Sequence, residues 1–268
     1  MRTALFAVSA VVAVLRLPAA VAADAAEDWG PYALEDGRRS GYTYAASETR
    51  AMQDDEFENS GYIWVEKGAE LWDEADGSVG QACSDCHGDA PESMRGVGAR
   101  YPVFAPEREK LINLEQRINQ CRTERMGAEP WTWESEPLLA MTTYVRHQSQ
   151  GMPVSPVIDG PAAPFFETGK AFYEKRRGQL DLACVHCHEM NAGNMLRAQR
   201  LSQGMSNGFP TYRLKWQTIG SLHRRIRGCN EDVRAETYAP GSDEYVNLEL
   251  YLAWRARGLP VETPAVRN

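Results

Sequence analysis

Apolar residues recur at helical spacing along this chain, and one pattern occurs twice. Leu111, Leu114, Ile118 and Cys121 are separated by 3, 4 and 3 positions, and Ile219, Leu222, Ile226 and Cys229 repeat the same steps. Such spacing predicts two amphipathic helices, each closing its apolar face with a cysteine that points inward. Two further helices are predicted from Leu138 to Gln148 and from Tyr245 to Arg257. They run out into Gly151-Met152-Pro153-Val154 and Gly258-Leu259-Pro260-Val261, Gly-x-Pro stops at an offset of 107. At the N-terminus, Met1 and Arg2 precede an apolar run from Ala4 to Leu15, and Ala20-Val21-Ala22 follows with the small residues a signal peptidase accepts. The run is too short to span a bilayer and has the layout of an export signal, residues 1–22. No later stretch reaches about 18 apolar residues, so the mature chain is expected to have no membrane span.

The repetition extends beyond the helices. Gly68 lies 15 residues before Cys83 and Gly169 lies 15 before Cys184, each opening a segment with aromatic residues, Leu71-Trp72 and Phe172-Tyr173. Tyr101-Pro102 matches Phe209-Pro210 at an offset of 108. Two homologous units follow, 61–155 and 165–268, joined by a linker over 156–164 in the proline-dense stretch from Pro153 to Pro164. Residues 23–60, with the acidic run Asp54-Asp55-Glu56, read as a solvated extension packed loosely on the units; an acidic docking surface is the sharper alternative.

Composition adds limits. The chain has 268 residues, with 29 Lys+Arg against 37 Asp+Glu, a net charge of −8 that becomes −10 once Arg2 and Arg16 leave with the signal. This acidic balance argues against coating of nucleic acid. An exported chain permits disulfides, yet the cysteine spacing points elsewhere. Cys83-Ser84-Asp85-Cys86-His87 and Cys184-Val185-His186-Cys187-His188 are two copies of C-x-x-C-H, the attachment pattern of haem c. Two thiols three positions apart form thioethers to one haem, and the following histidine is placed as an iron ligand. A thioredoxin-like pair does not need the histidine, and a Cys₄ zinc site would leave both histidines unused. The units resemble class I cytochrome c domains, in which an N-terminal and a C-terminal helix cross closely; Gly68 and Gly169 suit that crossing. The expected fold is all-α: two tandem cytochrome c domains related by duplication, with an N-terminal extension and two covalently attached haems.

Cys121 and Cys229 remain. They lie 108 apart, at equivalent positions in the two units, so each belongs over its own haem and a mutual disulfide is disfavoured. Methionine is the other common distal ligand. Met126, Met141, Met152, Met190, Met195 and Met205 have no ligand-capable counterpart in the opposite unit, and His147 and His223 are likewise unmatched. The assignment is therefore His87 and Cys121 to the first iron, His188 and Cys229 to the second. Thiolate ligation lowers the reduction potential relative to methionine and moves the expectation from shuttle to enzyme.

Around Cys229 the local charge reverses the sign of the whole chain. His223-Arg224-Arg225-Ile226-Arg227-Gly228-Cys229 is followed by Arg234, whereas the first unit has Gln116 and Asn119 where the second has Arg224 and Arg227. Arg225 lies one helical turn from Cys229 and has a counterpart in Arg117, so part of this charge can serve haem propionates. The excess would draw a small anion toward the sulfur.

Two C-x-x-C-H units, a cysteine after each, and Arg225-Ile226-Arg227-Gly228-Cys229 resemble the SoxA family, from about residue 30 to 262. The resemblance implies a dihaem subunit that pairs with the single-haem cytochrome SoxX in the bacterial periplasm. It implies joining of thiosulfate to a cysteine of the SoxYZ carrier, L-cysteine S-thiosulfotransferase activity, with electrons passed to a cytochrome c. It maps a reactive cysteine persulfide onto Cys229 and contact with the anionic substrate onto Arg225. A plain dihaem electron carrier, or a thiosulfate dehydrogenase forming tetrathionate, are the alternatives. A peroxidase would need an open iron position, against which the matched cysteines speak.

Overall fold

The computed structural model describes residues 28–268; the signal segment 1–22 lies outside them. Ten α-helices and seven short strands are found among the described residues. The helices are α1 (Ser47–Asp54), α2 (Tyr62–Asp73), α3 (Cys83–His87), α4 (Ala90–Ser93), α5 (Leu114–Cys121), α6 (Glu136–His147), α7 (Ala163–Glu174), α8 (Cys184–His188), α9 (Leu222–Asp232) and α10 (Asp243–Arg255). None is long and apolar enough to cross a membrane.

Two helix crossings organise the molecule, α2 on α6 and α7 on α10. At each a glycine lets the backbones meet. A side chain at Gly68 would penetrate the carbonyl of Ala140, and one at Gly169 the carbonyl of Asn247, residues that themselves correspond at an offset of 107. The apolar faces supply the cores. Trp72, Leu114, Met141 and Val145 are buried together in the first half, and Tyr173, Tyr245, Leu248 and Tyr251 in the second. Burial at about 25 cal/mol per Å² makes these large side chains the main source of stability.

The all-α expectation needs correction. Ahead of α5 stands an antiparallel hairpin of β1 (Val103–Ala105) and β2 (Lys110–Ile112). A two-residue pair, β3 (Met195–Leu196) and β4 (Gln199–Arg200), follows α8. Ahead of α9 the first hairpin recurs as β5 (Thr211–Arg213) and β6 (Thr218–Gly220), in the same register at an offset of 108, and β7 (Ala265–Arg267) adds to β5 in parallel. Leu111 and Ile219, read from their spacing as the first helical positions, are strand residues. The helices begin later because polar side chains stop them. Asn113 accepts from Gln116 N at 3.0 Å while Gln116 returns a bond to Asn113 N, a reciprocal cap, and Ser221 accepts from Arg224 N at 3.1 Å.

The N-terminal extension is also better fixed than a loosely packed segment. Arg38 donates to the carbonyls of Arg255 and Arg257 at 3.0 and 2.7 Å, Asn59 donates to Pro264 O at 2.9 Å, and buried Ser40 bonds Glu262. The two Gly-x-Pro stops lie against each other. Val154 N donates to Leu259 O and Gly258 N to Val154 O, while Val261 N donates to Met152 O and Gly151 N to Val261 O, all at 2.9–3.0 Å. The second pair of bonds is the first pair with the repeats exchanged.

Candidate functional site

Each C-x-x-C-H motif forms a short helix, α3 or α8, which puts its two thiols on one face. Both helices are capped by the residue between the cysteines. Asp85 Oδ2 accepts from Ala82 N at 2.8 Å, and His186 Nδ1 accepts from Ala183 N at 3.0 Å. His186 is thereby occupied in capping. His188 Nδ1 lies 2.8 Å from the carbonyl oxygen of Ser202. A carbonyl only accepts, so Nδ1 carries the proton and Nε2 is left as the lone-pair donor that a metal requires. Gly204 (φ +71°) makes room for this ring, since a side chain there would come within 2.8 Å of His188 Cγ. His87 lies beside Trp72, ring centres 5.8 Å apart.

The third cysteine of each half faces its own motif. Cys121 is in electrostatic contact with Cys83 and Cys86, and Cys229 with Cys184 and Cys187; all six thiols are free. The two C-x-x-C pairs therefore do not converge on one zinc. Burial raises Cys121 above the ordinary thiol range, against Arg117 and Arg125. Burial acts on Cys229 in the same direction, but the charge of Arg225 foremost outweighs it, and this thiol falls to about 7. Equivalent positions thus hold chemically different sulfurs. Each cluster supplies two motif thiols, a histidine and a third thiol nearby, a donor set that would suit haem c tethered by the thiol pair, with nitrogen and sulfur donors available to iron. Met190 and Met195 are exposed, Met205 is buried with residues of the C-terminal segment, and Met141 lies in the first core, against which Cys83 also packs.

On the helix that carries Cys229, next to Gly228, a cavity of about 360 Å³ is lined by Arg213, Lys215, Arg224, Arg225 and Arg227. Trp216 is its platform, with the guanidinium carbons of Arg213 and Arg224 4.7 and 4.4 Å from the ring centre. The platform depends on Gly220, where a side chain would meet the indole at 2.5 Å; the first repeat carries Ile112 there. Burial and the charge of Arg225 depress Arg213 to about 10. Three carboxylates, Glu134, Glu231 and Asp232, share the lining. Sequence reasoning reached Arg224, Arg225 and Arg227 but missed Arg213, Lys215 and Trp216, which reach the site from the second hairpin, and Glu134, which comes from the other half of the chain. Only the contrast between the Trp216–Gly220 pair and Arg108–Ile112 signals them in the sequence.

A second, smaller cavity lies between the halves, beside Glu115, Arg146 and Glu249. Burial, reinforced by Glu249, pushes the Glu115 carboxyl up to about 7. Gly241 N donates to His223 Nδ1 at 2.9 Å, which leaves Nε2 to donate to Glu249 Oε2 at 3.1 Å.

A family model described as SoxA/TsdA, cytochrome c domain, matches residues 67–154 and 168–261. The chain is 47% identical over 230 residues to the L-cysteine S-thiosulfotransferase subunit SoxA of Pseudaminobacter salicylatoxidans, covering 85% of this chain and 80% of that protein. Against the protein of the same name from Paracoccus pantotrophus it is 45% identical over 229 residues, 85% and 79% covered. The crystal structure of SoxXA from P. pantotrophus superposes with a TM-score of 0.84 at 45% identity, over 87% of this chain and 88% of that one.

Proposed function

This chain belongs to the SoxA/TsdA family of cytochromes c, and from that premise we propose that it is the SoxA-type subunit of a periplasmic L-cysteine S-thiosulfotransferase. In this reading it pairs with a SoxX cytochrome and joins thiosulfate to the cysteine of a SoxYZ carrier. Residues 61–155 and 165–268 form its two cytochrome c domains. Cys83 and Cys86 tether one haem and Cys184 and Cys187 a second, with His87 and Cys121, and His188 and Cys229, as the iron ligands. The observation that carries the reading is the double role of Arg225, which lines the cationic cavity and also lowers the Cys229 thiol.

Cations at the cavity wall bind and orient the thiosulfate dianion, Arg225 foremost. The Trp216 platform holds Arg213 and Arg224 in place without neutralising them. A sulfane sulfur on Cys229 forms an S–S bond to the outer sulfur of thiosulfate as two electrons leave. The carrier thiol then attacks that outer sulfur, loses its proton, and returns the Cys229 persulfide. Bound haem supplies the one-electron acceptor chemistry, passing charge on to a cytochrome c.

The test is Cys229→Ala in the dihaem protein with its partner. Carrier-dependent thiosulfate oxidation should disappear while both haems stay attached, as peptide mass shows; full activity would contradict the assignment. Tetrathionate release without any carrier would favour the dehydrogenase reading instead.

A further inference from the structure

Glu134 departs from ordinary behaviour in three ways. Its backbone has φ +62°, a region that L side chains rarely adopt. The repeat-equivalent residue, 107 positions on, is Gly241 (φ +80°), the residue type suited to that conformation. Both carboxylate oxygens are buried and accept no hydrogen bond, and the cation paired with them, Arg224, is 3.9 Å away. Yet the segment is held firmly. Trp133 stacks on His223 at 5.2 Å and 7°, filling the space that a side chain at Gly241 would occupy, and Ser135 opens α6. Backbone strain and a carboxylate held only by a long ion pair both lower stability. The residue bearing them lines the cationic cavity in the other half of the chain.

We propose that Glu134 is a specificity-determining residue of that cavity: a fixed negative charge, lent by the first half, that weakens anion binding in proportion to the charge of the anion. The inference rests on the reading of the cavity as the thiosulfate site. Its chemical sense lies in the change of charge during the reaction. Thiosulfate enters as a dianion. Once its outer sulfur is bonded to the carrier sulfur, with two electrons passed to the cytochrome acceptor and the thiol proton to water, the sulfonate end carries a single charge. Repulsion from Glu134 is therefore greater for the substrate than for the conjugate, which favours the forward step and release. The same repulsion limits occupation by unreactive dianions such as sulfate.

The experiment is calorimetric titration of the oxidised dihaem protein with sulfate as dianion probe and nitrate as monoanion probe. Because the electrostatic work scales with ligand charge, Glu134→Gln should tighten nitrate about threefold and sulfate about tenfold, roughly the square. Equal factors for both anions, or no change, would overturn the proposal. Glu134→Gly should give the same pair of factors with a higher unfolding midpoint, since glycine accepts the backbone; a lower midpoint would also count against it. Arg225→Gln separates the two levels of inference. If it leaves sulfate affinity at the wild-type value, the cavity is not the anion site and both readings fall. If it weakens sulfate while Glu134→Gln changes nothing, only the role of Glu134 falls.

Discussion

Glu115 and His223 stand at the same position of the two repeats, each six residues before its half's third cysteine, and the fold brings them together around one carboxylate, Glu249. Burial and the charge of Glu249 raise the Glu115 carboxyl, against His223, and Arg146 lies nearby.

Folded Glu115 keeps its proton to about pH 7, while an unfolded glutamate releases it near 4.5. Between those values the folded state binds more protons, so this group's contribution is fully present below pH 4.5 and is lost as pH rises through about 7. Glu115→Gln should remove that loss, on the order of 3 kcal/mol across the window. Denaturant unfolding of the haem-loaded protein at pH 5 and pH 8 checks it; an unchanged pH slope would contradict the assignment. Asp76 and Glu107, whose carboxyls are held below their ordinary range by hydrogen bonds, act in the opposite sense and only below that window.

Gly169→Ala should force α7 off α10, because the added carbon would overlap the Asn247 carbonyl. Overpacking of this kind costs about 1–3 kcal/mol, with the backbone carbonyl unable to turn aside as a side chain does. Thermal unfolding should shift down by several degrees, and an equal shift is expected for Gly68→Ala.

Arg225→Gln should raise the KM for thiosulfate about 10- to 100-fold, the value of one charged hydrogen bond. Trp216→Leu, which removes the platform under Arg213 and Arg224, should move KM in the same direction with haem content intact. Steady-state kinetics with the carrier decide; a change confined to kcat would place these residues elsewhere.

Gly204→Ala should displace the His188 ring, since the new carbon would lie 2.8 Å from Cγ and the backbone has φ +71°. With His188 an iron ligand as proposed, the outcome is weakened histidine ligation at that centre alone, visible as altered absorption and magnetic resonance of one haem. Two unaltered centres would show that the ring has room to move.

The duplication, the haem motifs and the crossing helices are legible in the sequence because each rests on local spacing: a thiol pair and histidine, a periodic apolar face, a small residue where backbones touch. The strands are not, because three-residue hairpins carry too little pattern, and Leu111 and Ile219 keep the helical phase of the residues that follow. The cationic cavity is only partly legible. Arg224, Arg225 and Arg227 share one helix with Cys229, whereas Arg213, Trp216 and Glu134 reach it through tertiary folding, the last across the boundary between repeats.

The bonds exchanged by Val154, Leu259, Gly258, Met152, Val261 and Gly151 bring the two repeats into register through paired backbone rather than through the covalent joint over 156–164. A protease nick in that joint should therefore leave a complex whose halves stay associated, with the spectrum of the intact protein, under conditions that preserve the fold. Each half contributes one strip of a shared seam, with the symmetry that two separate subunits of a symmetric dimer would show.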